Sequence, residues 1–245
     1  MNPLKKLLLI QPGAFGDLFA CAPIAKWYAD RGYEVYWPVT KKFLSTIKSF
    51  DYVKPILLPD DNLHPDWLRS DVMKILPLAD QYDKVVNLAD RGPHPMAQRP
   101  GENFELCKYR LAEVPFEEKN KLVWTRDKEK EQRLRELLKL PTNYALAHLT
   151  NSHGDEALCP ETDIPVIKVK EIEGFSIIDW YSVIKGADKV YCVESGVHQF
   201  IDGWLEPNDE DYFLLKKGPV AEGTRHTHSK FWDLTYIGKN STISG

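Results

Sequence analysis

Residues 7–23, LLLIQPGAFGDLFACAP, constrain the fold of this chain more than any other stretch. The apolar run at 7–10 is far shorter than the roughly 18 to 20 apolar residues of a membrane span. Pro12-Gly13-Ala14-Phe15-Gly16 cuts it off before an apolar-periodic segment opens at Asp17. A short apolar run bounded by turn residues reads as a buried strand, and the period that follows is helical. Strand, glycine loop and helix start in succession open a parallel α/β sheet, whose ligands bind outside the carboxyl ends of the strands. The positive start MNPLKK precedes an apolar run too short for a secretory signal, so a soluble, cytoplasmic protein is expected. Cys21, Cys107, Cys159 and Cys192 stand far apart with no CxxC pair, which predicts free thiols in a reducing compartment.

The alternation continues along the chain. Residues 17–31 predict a helix ended by Gly32, 34–37 a strand, 40–50 a helix that Thr40 can cap, and 53–58 a third strand. A helix over 66–76 and a strand over 84–88 follow. Residues 89–101, ADRGPHPMAQRPG, predict a loop at the end of that strand. Helices are expected over 102–112 and 127–140, the second with Leu134, Leu137 and Leu138 on one face. After Pro141 a second series begins, with strands over 144–149, 164–169, 189–193 and 211–215 and helices over 176–185 and 197–204, closing on a polar tail. The pattern predicts two similar α/β domains with parallel sheets, residues 1–140 and 141–245. A net charge of -4 supplies no global attraction for nucleic acid or an anionic membrane.

Three constellations carry the chemistry. Gly13-Ala14-Phe15-Gly16-Asp17 lacks the third glycine of a dinucleotide fingerprint, and Trp37-Pro38-Val39-Thr40 stands where a ribose-binding acid would follow the second strand. No lysine follows Gly16, so it is not a P-loop either. Asp17 then either caps its helix and complements the dipole or faces a ligand. The second constellation, Val193-Glu194-Ser195-Gly196-Val197-His198, runs from strand to helix and can present Ser195 and backbone N–H groups to a pyrophosphate. The alternatives are that Ser195 serves only as a cap and His198 as a structural residue. The third, His148-Leu149-Thr150-Asn151-Ser152-His153, offers polar groups to a sugar or phosphate, or is a plain surface loop. His226 and His228 lack a third ligand nearby, and no metal site is expected.

On these positions the sequence resembles glycosyltransferase family 9, the heptosyltransferase-like enzymes. The strand, glycine loop, Gly16-Asp17 pair and later Pro23 are similar to the family's N-terminal motif, and ADKVYCVESGVHQFIDGW over 187–204 to its C-terminal one. Residues 40–140 match only in their alternation. The resemblance implies a GT-B architecture, two Rossmann-like domains with parallel sheets facing across a cleft, and inverting transfer with no essential metal. It implies that Asp17 is the general base, with Gly13, Ala14, Phe15, Gly16 and Arg91 on the acceptor side. Glu194, Ser195, Gly196 and His198, with Thr150, Ser152 and Lys168, fall on the donor side. The donor would be a UDP- or ADP-linked sugar with no further cofactor.

The acceptor would be a bacterial glycan or a modified base in DNA, whose phosphates Arg91, Arg99 and Lys216 would meet. Glu194 to His198 is one residue shorter than the family's pattern. The family's basic residue is absent from 150–160, which leaves Lys168, Lys170, Lys216 or Arg225 to balance phosphate charge. A different class of function stays open, a non-catalytic nucleotide or nucleotide-sugar binding module of the same fold.

Overall fold

The computed structural model describes residues 4–11, 15–58, 75–88, 102, 104–151, 157–205, 211–217 and 233–237. The chain divides into two compact units, Met1–Thr125 and Arg126–Gly245.

The first unit holds β1 (Lys5–Ile10), α1 (Phe15–Ala29), β2 (Tyr33–Val39), α2 (Leu44–Ile47), β3 (Val53–Leu57), β4 (Lys84–Asn87) and α3 (Phe104–Leu111). Its strands form one parallel sheet in the order β3-β2-β1-β4. Leu7, Leu8, Leu9 and Ile10 are all fully buried, which is why β1 reads as an unbroken apolar run and not as an alternation. Leu8 and Ile10 pack with Leu58 and Ile75, and Tyr36, Ile56, Leu76 and Tyr82 close over them. Each such side chain contributes about 1.5–3 kcal/mol of burial. Gly32 links α1 to β2 in the left-handed region at φ 82, and its N–H donates to the Ala29 carbonyl at 3.0 Å. The expected helix over 40–50 is shorter, a 3-10 turn at Lys41–Phe43 running into α2, and Thr40 makes no side-chain cap. The helix expected over 66–76 lies outside the described residues except for its last two positions, and the loop over 89–101 lies wholly outside them.

The second unit holds α4 (Lys128–Leu138), β5 (Ala145–His148), β6 (Val166–Lys168), α5 (Tyr181–Lys185), β7 (Lys189–Val193), α6 (Gly196–Asp202), β8 (Tyr212–Lys217) and β9 (Asp233–Ile237). The sheet is again parallel, in the order β6-β5-β7-β8-β9. Ala145 and Ala147 of β5 lie in a cluster with Tyr191, Val193 and Leu215, small residues beside large ones on neighbouring strands.

Two expectations are corrected here, and the compact units divide at another place than Pro141. The strand at 211–215 is not the last: β9 pairs along β8 from Phe213↔Asp233 to Lys217↔Ile237, a five-residue strand set within what reads as a polar tail. The division between units falls after Thr125 and not at 140/141, because α4 is fastened to the second unit. Arg135 Nη1 donates to the Ser182 carbonyl at 2.8 Å, and Arg126 stacks 4.2 Å from the Tyr181 ring centre. Pro141 only marks the chain's exit from that helix. Finally, Leu137 is exposed while Leu134 is fully buried, so the inward face of α4 runs through Glu131 and Leu134.

Candidate functional site

Sheet order picks out one crevice in each unit. From β1 the chain moves outward to β2 and β3, then returns to the other side of β1 for β4, with Ile10 opposite Asn87. From β5 it moves out to β6 and returns to the other side for β7, with His148 opposite Cys192. Ligands of open α/β sheets bind outside the carboxyl ends of strands at such reversals. The chain enters α1 after β1 at the first reversal, and Glu194-Ser195 leaves β7 at the second.

At the first reversal the exit of β1 is pinned, because the Trp37 indole donates to the Gln11 carbonyl at 2.8 Å. Asp17 follows two residues into α1, an acidic group at the positive end of the helix dipole, with its side chain 20% exposed. Lys108 Nζ donates to its Oδ1 at 2.5 Å from a side chain with no exposed surface. That ammonium also lies 3.8 Å from the Phe104 ring centre. Two tyrosines hold α3 against α1: Tyr109 Oη donates to the Ala20 carbonyl at 3.0 Å and Tyr28 Oη to the Ala112 carbonyl at 2.6 Å. Beneath Asp17, burial pushes the Cys21 thiol up to about 12 despite the opposing pull of Lys108, so the thiol is neutral. Glu105 pairs with Lys119 at 2.6 Å, both almost fully buried. Phe15 is half-buried, its ring edge-on to Phe19 at 5.1 Å and tilted against Phe43 at 5.8 Å, and Gly16 beside it is half-buried too.

At the second reversal Ser195 is the N-cap of α6, its Oγ accepting from the His198 N–H at 3.3 Å. The same Oγ stands 3.1 Å from His148 Nδ1 at the end of β5, and 3.9 Å from Cys192 Sγ. Burial lowers the His148 imidazole to about 4, so it is neutral at ordinary pH and acts as a hydrogen-bonding group without charge. The buried Cys192 thiol is pushed up to about 12 and is inert. Glu194 and Thr150 are exposed beside the two strand ends, and Gly196 is half-buried as the first residue of α6. Lys168, also exposed, ends β6 and lies opposite Ala147, on the same carboxyl edge as His148.

The second site thus brings together Ser195, Gly196, Glu194, Thr150 and Lys168 at one sheet edge. His198 is different: it is fully buried and faces the interior of the unit, not solvent. Gly13, Ala14, Arg91 and Ser152 lie outside the described residues, as do Arg99, Arg225, His226 and His228, and the side chain of Lys216 is not described. Sequence reasoning missed Lys108. Its only local signal is a lysine inside the apolar string Leu106-Cys107-Lys108-Tyr109, and nothing in that string names a partner in α1. His148 was legible as a strand-end polar group, but its hydrogen bond to Ser195 was not.

Comparison with known proteins gives a fold. No family model and no curated protein sequence matches the chain. Among solved structures it is similar to a glycosyl transferase family 9 protein from Veillonella parvula, with a TM-score of 0.61 and 9% identity, over 95% of this chain and 86% of that one. It is similar to E. coli heptosyltransferase WaaC with ADP-2-deoxy-2-fluoro heptose, with a TM-score of 0.54 and 14% identity, over 94% and 92% of the two chains. A third is the E. coli ADP-heptose lps heptosyltransferase II, with a TM-score of 0.51 and 10% identity, over 95% and 90%. The fold is therefore the GT-B-type α/β fold of the heptosyltransferases, as the motifs at the two ends imply. Among the described residues no helix is long and apolar enough to cross a membrane.

Proposed function

We propose that this protein is a glycosyltransferase that moves a sugar from a nucleotide-sugar to an acceptor hydroxyl, with inversion at the anomeric carbon and without a metal. One observation carries the reading: on a fold shared with heptosyltransferases, a partly exposed carboxylate stands at the sheet reversal of one unit and a serine-capped helix start at that of the other. In the reaction the acceptor oxygen bonds to the anomeric carbon as the bond from that carbon to the diphosphate oxygen breaks. The nucleoside diphosphate leaves with the electron pair, and the acceptor proton passes to the Asp17 carboxylate. The Ser195 hydroxyl and the N–H groups opening α6 would hold the leaving diphosphate, aided by the Lys168 charge. His148, being neutral, contributes orientation and no counter-charge.

The donor is read as UDP- or ADP-linked, in line with the ADP-sugar of the WaaC structure. The acceptor is read as a bacterial glycan. A net charge of -4 weighs against the DNA base that the arginines of 89–101 would otherwise suit.

A thermal-shift and turnover screen over UDP-, ADP-, GDP- and CMP-sugars, with and without EDTA, tests the reading. A specific donor raises the melting temperature in proportion to the logarithm of its occupancy ratio. Donor cleavage should persist in EDTA and fall to a residual, still measurable rate in Asp17→Asn, about 100-fold or more below wild type. Stabilisation by none of the donors refutes the transferase, and stabilisation without turnover toward any glycan or DNA acceptor would favour the binding module.

A further inference from the structure

We infer that Lys108 is the residue that positions Asp17 for transfer, an inference that rests on the reading of Asp17 as the base. Sequestering an ammonium from water costs several kcal/mol, and a fully buried lysine persists only against a partner. Here that partner is a carboxylate whose own side chain is 20% exposed, in the first turn of the helix that follows β1. The two ends of the pair therefore have different surroundings. Lys108 is fixed on α3 by burial and by the Phe104 ring, and α3 is fixed to α1 by the Tyr109 and Tyr28 hydrogen bonds. Asp17 has two side-chain torsions, on the first turn of α1, and the contact at Oδ1 restrains them.

The acid nearest Lys108 in sequence has a lysine partner of its own. Glu105, three residues earlier on α3, is engaged by Lys119 at 2.6 Å. Each of the two buried lysines thus has a carboxylate partner. A pair serving stability alone is matched or bettered by apolar residues of the same volume, whereas a base must hold its oxygen in line with the acceptor. Misplacement by about 1 Å costs on the order of 100-fold in rate.

The test is a double-mutant cycle on turnover of the stabilising donor found in the screen, using Lys108→Met, Asp17→Asn and the double variant. Lys108→Met should lower kcat about 10- to 100-fold with the donor KM unchanged, and Lys108→Arg should restore most of it. In the Asp17→Asn background, Lys108→Met should have no further effect, because a positioning residue has nothing left to position. Losses that multiply in the double variant, or a folded Lys108→Met within about twofold of wild type, overturn the inference. Lys108→Gln replaces Lys108→Met if the latter does not fold. If neither folds, Lys108 serves the fold and the inference falls. Failure of the underlying reading shows separately, as wild-type protein without turnover or Asp17→Asn with unchanged turnover.

Discussion

Acidification should destabilise the second unit through His148. The imidazole titrates near 4 in the folded chain, against 6.5 for an ordinary histidine, because burial disfavours its charged form. Between those values the unfolded chain holds a proton that the native state excludes. The unfolded state therefore binds more protons, and stability falls as pH falls. The loss begins as pH drops through the ordinary histidine value and levels off below the folded one. Two and a half pH units of such imbalance amount to about 3 kcal/mol, a large share of the stability of a small domain.

The hydrogen bond to Ser195 at 3.1 Å ties this loss to the α6 cap, since a charged imidazole must leave its pocket and release the serine hydroxyl. His148→Asn keeps a polar group near the serine and removes the titration. Urea unfolding of both proteins between about pH 7 and pH 4, followed by circular dichroism, measures the difference, because carboxylate titrations are common to both. The wild type should lose about 3 kcal/mol more than the variant over that range. An NMR titration of the imidazole should give a midpoint near 4. Parallel stability profiles, or a midpoint above 6, would refute the burial account of this site.

Two further outcomes follow from side-chain and backbone geometry in the first unit. Asp17→Ala leaves the Lys108 ammonium buried without its carboxylate and should cost about 3 kcal/mol in urea unfolding; Asp17→Ala/Lys108→Met should be more stable than Asp17→Ala alone, since it removes the orphaned charge. Gly32→Ala should cost about 1 kcal/mol at its φ of 82, by conformation alone because no atom lies within 4 Å of the added methyl group, and a melting temperature unchanged to within a degree would contradict this.

What the sequence made legible was local. Leu7 to Ile10 announce a strand because both faces of β1 are buried, and the break in the apolar run after Ile10 announces its end. A turn between strand and helix is settled by the residues within it, so Asp17 and Ser195 could be placed at strand ends before any sheet order was known. The contacts that define their chemistry join residues far apart in sequence. Lys108 meets Asp17 across 91 positions and His148 meets Ser195 across 47, and both pairings depend on sheet order and on which face of a helix turns inward. The same reason explains why the division of the compact units after Thr125 was not legible. Pro141 is visible punctuation, whereas the bond from Arg135 to the Ser182 carbonyl that fastens α4 to the second unit has no signature in either segment. It also explains β9, whose five residues become a strand only because β8 offers them an edge. His198 marks the limit from the other direction: its sequence position left a ligand contact and a structural role both open, and on a seven-residue helix that packs onto β7 that position turns inward and is fully buried. The two carboxyl-end motifs therefore locate the candidate site, and the partners buried behind them decide which way its side chains point.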